Sequence, residues 1–299
     1  MRKRVIALYC LLVYSLAWGF QAAGIAATGG DLEADAAAPW LIGAMFSPGL
    51  VALLFVILHK PAREGLAWKP TLPMIPMILV GVAVPTLIAF AVLAVIEMMG
   101  WGQSGWFHFS VAGVAIDGGP WVLGTGRMGW PLFLANVAAT ALVFAGVSAL
   151  AAVGEEFGWR AFLQGQLIGQ LGVSRGVVLL GLIWAGFHLP ALLSGYNYPD
   201  TPLLGAFVIT PIELIAVSFF LAWLTITARS FWPAAIAHGA GNSIQEGVTA
   251  NLTMATSQLP EDLTTLSVTV VVGLLSWWWL RRRAAKRPPP LATPGEAPA

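Results

Sequence analysis

The stretch WPLFLANVAATALVFAGVSALAAVGEEFGWRAFLQGQL (Trp130–Leu167) reads in two halves. From Trp130 to Val153 it carries no charge and exceeds the ~20 apolar residues that a helix needs to cross a bilayer core. Directly after it stand two adjacent carboxylates, Glu155 and Glu156, and an arginine, Arg160. An acid or base near the centre of a membrane helix costs at least ~2.5 kcal/mol, and such groups persist where they face a cavity and have partners. The first half places the chain in a membrane. The second half marks a polar feature inside that membrane protein.

The whole chain agrees with the first half. Of its 299 residues, 58% are hydrophobic and 10% charged, with a mean hydropathy of +0.80. Soluble domains carry about a quarter charged residues. The fold class expected is all-α, a polytopic membrane protein of about eight transmembrane helices with a polar catalytic cavity in the bundle. The segments run roughly Val5–Ala27, Leu41–His59, Pro73–Met99, Trp130–Val153, Gly176–Gly195, Leu203–Ala228, Phe231–Leu252 and Leu263–Leu280. A net charge of +1 says nothing about nucleic acid, and with no basic stripe left once topology is accounted for, no nucleic-acid partner is expected. The single cysteine, Cys10, excludes a disulfide within the chain.

Charge orients the segments. Of 15 basic residues, Arg2, Lys3, Arg4, Lys60, Arg63, Lys69, Arg160, Arg175, Arg229, Arg281, Arg282, Arg283, Lys286 and Arg287 fall on one side, and only Arg127 on the other. The opposite side collects Asp31, Glu33, Asp35, Glu97, Asp117, Asp200, Glu261 and Asp262. Loops rich in Lys and Arg stay inside. This predicts an integral protein of the cell's inner (plasma) membrane with both termini cytoplasmic. The basic start and apolar run of the N-terminus have signal-peptide features, but the run continues beyond a usual signal core and is expected to stay as the first helix. The expected organisation is an N-terminal part, 1–130, with helices one to three and an outer interfacial loop at Gly100–Gly129; a helical core, 131–252; a last transmembrane helix, 253–283; and a Pro/Ala-rich disordered cytoplasmic tail, 284–299.

The polar residues left at membrane depth are few: Glu155, Glu156, Arg160, His188, Glu213, His238, Asn242 and Glu246. Glu156 and Arg160 are four apart and can pair on a helix. Glu155 points about 100° away from Glu156. His188 lies in the otherwise apolar IWAGFHLPALL, with Pro190 able to loosen the helix beside it. His238 and Asn242 share a face across Gly239, Ala240 and Gly241, which permit a close neighbour. Each group alone reads equally as a salt bridge or as hydrogen-bond glue between helices. Together they make an inventory for hydrolysis: a general base, imidazoles and donors for a developing oxyanion. Glu213 reads as pairing with a neighbouring helix, and His59 and His108 as membrane-edge residues without a role.

These residues carry a resemblance. EEFGWR resembles the EExxxR motif of the CAAX-prenyl-protease and bacteriocin-processing (CPBP) family of intramembrane endopeptidases. WAGFH resembles its second motif, with Trp184 where phenylalanine is usual, and HGAGN its HxxxN motif. The trio spans Glu155 to Asn242 in the family's order and does not extend to the region before about Trp130 or to the tail. The resemblance implies hydrolysis of a peptide bond in a membrane-associated protein or peptide. It implies Glu155 as the base activating water, His188 holding that water, His238 and Asn242 stabilising the oxyanion, and Glu156 and Arg160 as supporting residues. Two versions stand open. In one the glutamate works without metal; in the other Glu155, His188 and His238 hold a divalent metal such as zinc, leaving a position for water. Two other function classes stand beside the protease: a proton-coupled transporter relaying through Glu155, His188, Glu213 and His238, and a non-catalytic scaffold or bacteriocin-immunity protein of the same fold. For three motifs to meet, the fourth helix must continue past Val153 inside the protein, either starting later than Trp130 or broken or tilted, and a water-filled cavity open to the cytoplasm permits each of these.

Overall fold

The computed structural model describes residues 3–58, 65–249 and 251–285, without the side chains of Glu246, Ala284 and Ala285. Arg2, His59, Lys60, Arg63, Lys286, Arg287, the tail from 286 and the side chain of Glu246 lie outside the described residues. In lipid every backbone polar group must be satisfied within the chain, so apolar runs fold as helices. The helices are α1 (Lys3–Thr28), α2 (Ala38–Leu58), α3 (Met74–Met98), α4 (Trp130–Glu156), α5 (Gln164–Phe187), α6 (Leu189–Leu193), α7 (Pro202–Leu204), α8 (Thr210–Ala228), α9 (Trp232–Ala240), α10 (Glu246–Thr249) and α11 (Leu259–Ala285).

Among the described residues six helical runs are long and apolar enough to cross a membrane, which makes the chain an integral membrane protein. The expectation was about eight, and the difference has two sources. Trp130–Phe187 is one helical run of 58 residues, about 87 Å if straight and far longer than the ~30 Å hydrocarbon core. It folds back at Gly172, whose φ of 76° suits glycine. A Cβ on Gly176 would lie 2.8 Å from the backbone nitrogen of Ile168, although eight helical residues span about 12 Å. This run therefore takes in the fourth and fifth segments read from sequence. The seventh, Phe231–Leu252, is divided into α9, a π-helical turn at Gly241–Gln245, α10 and a strand, each too short to count alone.

The chain's turns sort to two ends. At the basic end, the backbone N–H of Phe231 donates to the Ala67 carbonyl (2.7 Å), and the Trp232 indole to that of Trp68 (3.1 Å). There α11 ends with Arg281, Arg282 and Arg283 set against the rings of Trp277, Trp278 and Trp279, an interfacial anchor. At the other end, the loop read as interfacial contains strands. β1 (Gly102–Ser104) pairs antiparallel with β5 (Leu252–Met254), while β2 (Phe107–Ser110), β3 (Gly113–Ile116) and β4 (Gly126–Gly129) form a three-stranded antiparallel sheet. Phe107, Val114 and Ile116 turn into the core beneath it. His108 pairs with Asp117 at 2.9 Å on its exposed face.

The β2–β3 turn and the Lys69 loop therefore test the orientation. In a Cys10→Ser background, Val111→Cys is expected to react with a membrane-impermeant maleimide on intact cells, and Lys69→Cys only after permeabilisation. The reverse pattern would invert the topology.

Candidate active site

α4 does not stop at Val153 but runs to Glu156 and passes into a π-helical turn, Phe157–Leu163. Both glutamates are thereby carried inside the bundle. Close approach of α2 seals their rear. A Cβ on Gly158 would lie 2.5 Å from the Pro48 carbonyl carbon, and one on Gly154 2.8 Å from the Phe46 Cα. Glu155, Glu156 and Arg160 are 2%, 0% and 1% exposed, so each charge depends on protein partners rather than water.

Glu156 has them. Its Oε2 lies 2.9 Å from Arg160 Nε, and its Oε1 accepts from His238 Nδ1 at 3.0 Å. Arg160 also reaches Ser218 Oγ on α8, at 3.4 Å, and its guanidinium lies over the Trp184 ring at 4.8 Å. One carboxylate thus joins α4, the π-turn and α9. A Cβ on Gly239, next to His238, would lie 2.5 Å from the Ala149 nitrogen, so α9 and α4 touch backbone to backbone here.

Glu155 faces elsewhere. Its Oε2 accepts from the Trp184 indole at 2.6 Å and from the Trp159 indole at 3.3 Å. Trp184 is the hub, with ring centroids 5.2 Å from His238 and 6.1 Å from His188. His188 Nδ1 is 2.9 Å from the Trp184 carbonyl. A carbonyl only accepts, so the proton is on Nδ1 and the neutral ring offers the Nε2 lone pair. His238, with Nδ1 donating to Glu156, likewise leaves Nε2 for other work. The structure thus brings Glu155, His188 and His238 together around one indole, with Asn242 following in the Gly241–Gln245 turn.

His188 sits where α5 ends and α6 begins, next to Pro190. The break frees backbone groups, and α1 satisfies them. The Gln21 amide donates to the Phe187 carbonyl (2.8 Å) and its oxygen accepts from the Ala191 N–H (3.0 Å). Tyr14 donates to Ile183 O at 2.6 Å, and Trp18 to Gly186 O at 3.1 Å. Sequence reasoning missed Gln21, Trp159 and Ser218. A glutamine inside an apolar first helix was the available signal for Gln21.

Trp184, His188, His238 and Asn242 line a cavity of about 1090 Å³. Glu155 is not among its lining residues, and Trp184, which lines it and donates to Glu155, separates the two. The cavity runs to Glu33 and Asp35 before α2, to Asp200, and to Glu261 and Asp262 at the start of α11. These lie at the end opposite the basic loops. The expected opening was to the cytoplasm, the side that the Lys/Arg bias assigns to the basic loops; the cavity instead reaches the acidic end, while Gly154 and Gly158 bring α2 close behind the glutamates. Glu213 faces the same cavity and accepts from Tyr198 Oη at 3.3 Å, in the connection after α6 rather than on a neighbouring long helix. Burial first, and then the Glu213 charge, push the Tyr198 phenol above its ordinary pKa, so it remains a donor. For a metal the donor set does not fit. Among the described residues no three His, Cys, Asp or Glu side chains come together as ligands. The Glu155 Oε2 and both Nδ1 atoms are engaged in hydrogen bonds instead.

Residues 136–244 match the family model for type II CAAX prenyl endopeptidases, described as Rce1-like. The chain carries an Rce1-like segment. It agrees with the resemblance carried by the three motifs, and supports protease activity for the chain. No curated protein matches the chain. The Rce1-like segment holds all six motif residues, from Glu155 to Asn242, while Gln21 and the mouth residues Glu33, Asp35, Glu261 and Asp262 lie outside it.

Two substitutions probe this frame. Arg160→Met strands a buried carboxylate and is expected to cost about 3–5 kcal/mol, read as a lower midpoint of thermal unfolding in detergent. Gln21→Leu leaves one carbonyl and one N–H unpaired, at roughly 1–3 kcal/mol each, and is expected to lower the midpoint by a comparable step. Wild-type midpoints for both would refute the buried network.

Proposed function

We propose that this protein is an intramembrane endopeptidase of the CAAX type, and that Glu155 activates the hydrolytic water. The observation that supports this reading most is the gathering of Glu155, His188 and His238 around Trp184 at the floor of the cavity. Peptide hydrolysis needs a base for water, a site for the carbonyl oxygen and a proton for the leaving amine. Glu155 Oε2 is held by two indoles, which leaves Oε1 to take the proton once Trp184 shifts enough to admit water. The His188 Nε2 lone pair accepts from the same water and orients it. The oxygen adds to the scissile carbonyl carbon as its proton passes to Glu155. His238, protonated on both nitrogens, donates one N–H to Glu156 and the other, with the Asn242 amide, to the oxyanion. Collapse breaks the C–N bond, and Glu155 returns its proton to the departing amine. Arg160 and Glu156 hold the imidazole in place. No step passes through a metal.

In the membrane the reading places both termini in the cytoplasm, the chemistry in the 131–252 core, and the cavity mouth on the opposite face. The substrate is a membrane-associated protein or peptide.

The test is cleavage of a quenched-peptide library by the purified full chain in detergent. Glu155→Gln is expected to lower kcat by more than ~10²-fold, the scale of general-base catalysis, while chelation with EDTA leaves the rate unchanged. Equal cleavage by wild type and Glu155→Gln would end the assignment, and proton-linked uptake into liposomes that His188→Ala abolishes would replace it with a transporter.

A further inference from the structure

The cavity has a floor and a mouth of different character. Trp184, His188, His238 and Asn242 form the floor, and the Rce1-like segment supplies all four. Six carboxylates line the way out: Glu33, Asp35, Asp200, Glu213, Glu261 and Asp262. No lysine or arginine lines the cavity among the described residues. Four of the six belong to segments outside the family match, namely the turn before α2 and the first turn of α11. Most of the mouth's carboxylates therefore come from outside the matched segment, and the whole floor from within it.

The carboxylates do not form an ion cage, because no three gather as ligands among the described residues. They are spread along a passage whose deeper walls are apolar, with Leu214, Val217, Leu221 and Val272 among them. Charges of one sign in a low-dielectric cleft focus a field along it and raise the local concentration of the opposite charge. The volume, about 1090 Å³, exceeds the ~300–1,000 Å³ of small-ligand pockets, and suits an extended length of polypeptide.

We infer that the site selects a cationic segment of polypeptide, one carrying lysine or arginine beside the scissile bond, admitted from the acidic end of the bundle. This rests on the endopeptidase reading for the bond broken, and on the mouth alone for the charge. Basic side chains would lie among Asp200, Glu261 and Asp262 while the backbone reaches His188 and His238. A neutral or acidic segment would enter the same passage without attraction or against repulsion.

The experiment uses three quenched peptides of one sequence in which the flanking positions are lysine, glutamine or glutamate. With the full chain in nanodiscs, kcat/KM is expected to fall on the order of tenfold at each step, the lower end of electrostatic steering, and the advantage to shrink as salt rises. The pair Glu261→Gln and Asp262→Asn is expected to bring the lysine and glutamine peptides towards parity by lowering kcat/KM for the lysine peptide. Equal cleavage of all three peptides by wild type would overturn the inference and leave the protease reading standing. If wild type cleaves none, binding decides. Anisotropy of a labelled lysine peptide on the Glu155→Gln chain should saturate, and saturate about tenfold more weakly for the glutamate peptide. No difference would overturn the inference independently of catalysis.

Discussion

The carboxylate of Glu156, fully buried between Arg160 and His238, is the constraint on which the rest of the site depends. A bare carboxylate in this interior would cost several kcal/mol in lost hydration. The two partners offset that cost only in one geometry, which fixes α9 against the end of α4 and sets the imidazole's tautomer. The π-helical turn that follows Glu156 brings Arg160 back onto it and turns Trp159 towards Glu155. Glycine does the complementary work. Gly154 and Gly158 admit α2, and Gly239 admits α4, so the charged cluster is walled by backbone rather than by solvent-filled gaps.

From this anchor the two glutamates take different duties. Glu156 is consumed by structure, with both oxygens committed. Glu155 is held through one oxygen by two indoles and stands behind Trp184 at the cavity wall. Tryptophan at 184 matters because its ring N–H is a donor that the usual phenylalanine lacks. The single side chain therefore holds the proposed base, stacks beneath the arginine and contacts both histidines. Its backbone carbonyl fixes the proton on His188.

The first helix has a part in the site although it lies outside the family match. Breaking a helix at His188 and Pro190 in a membrane exposes peptide groups that lipid cannot satisfy. Gln21 supplies both a donor and an acceptor to that break. The N-terminal run is thus a working part of the fold.

The sequence by itself determined the membrane, most of the long helices, the two-ended charge and the six residues of the three motifs. Apolar length, Lys/Arg bias and short-range spacing are local properties, legible without knowing what packs where. Glu155, Glu156 and Arg160 could be read as chemistry because charge at membrane depth requires a reason. Only the tertiary structure decided that Glu156 also takes His238, that Glu155 is held by two indoles, that the continuation of α4 past Val153 is a π-turn, that Gly172 folds one run into two, and that short strands order the outer loop. It also decided that the cavity faces the acidic end. Those outcomes depend on contacts between residues tens to hundreds of positions apart, Gln21 with Ala191 and Glu156 with His238 among them. No local pattern encodes such pairings, because each is selected by what the assembled bundle leaves unsatisfied.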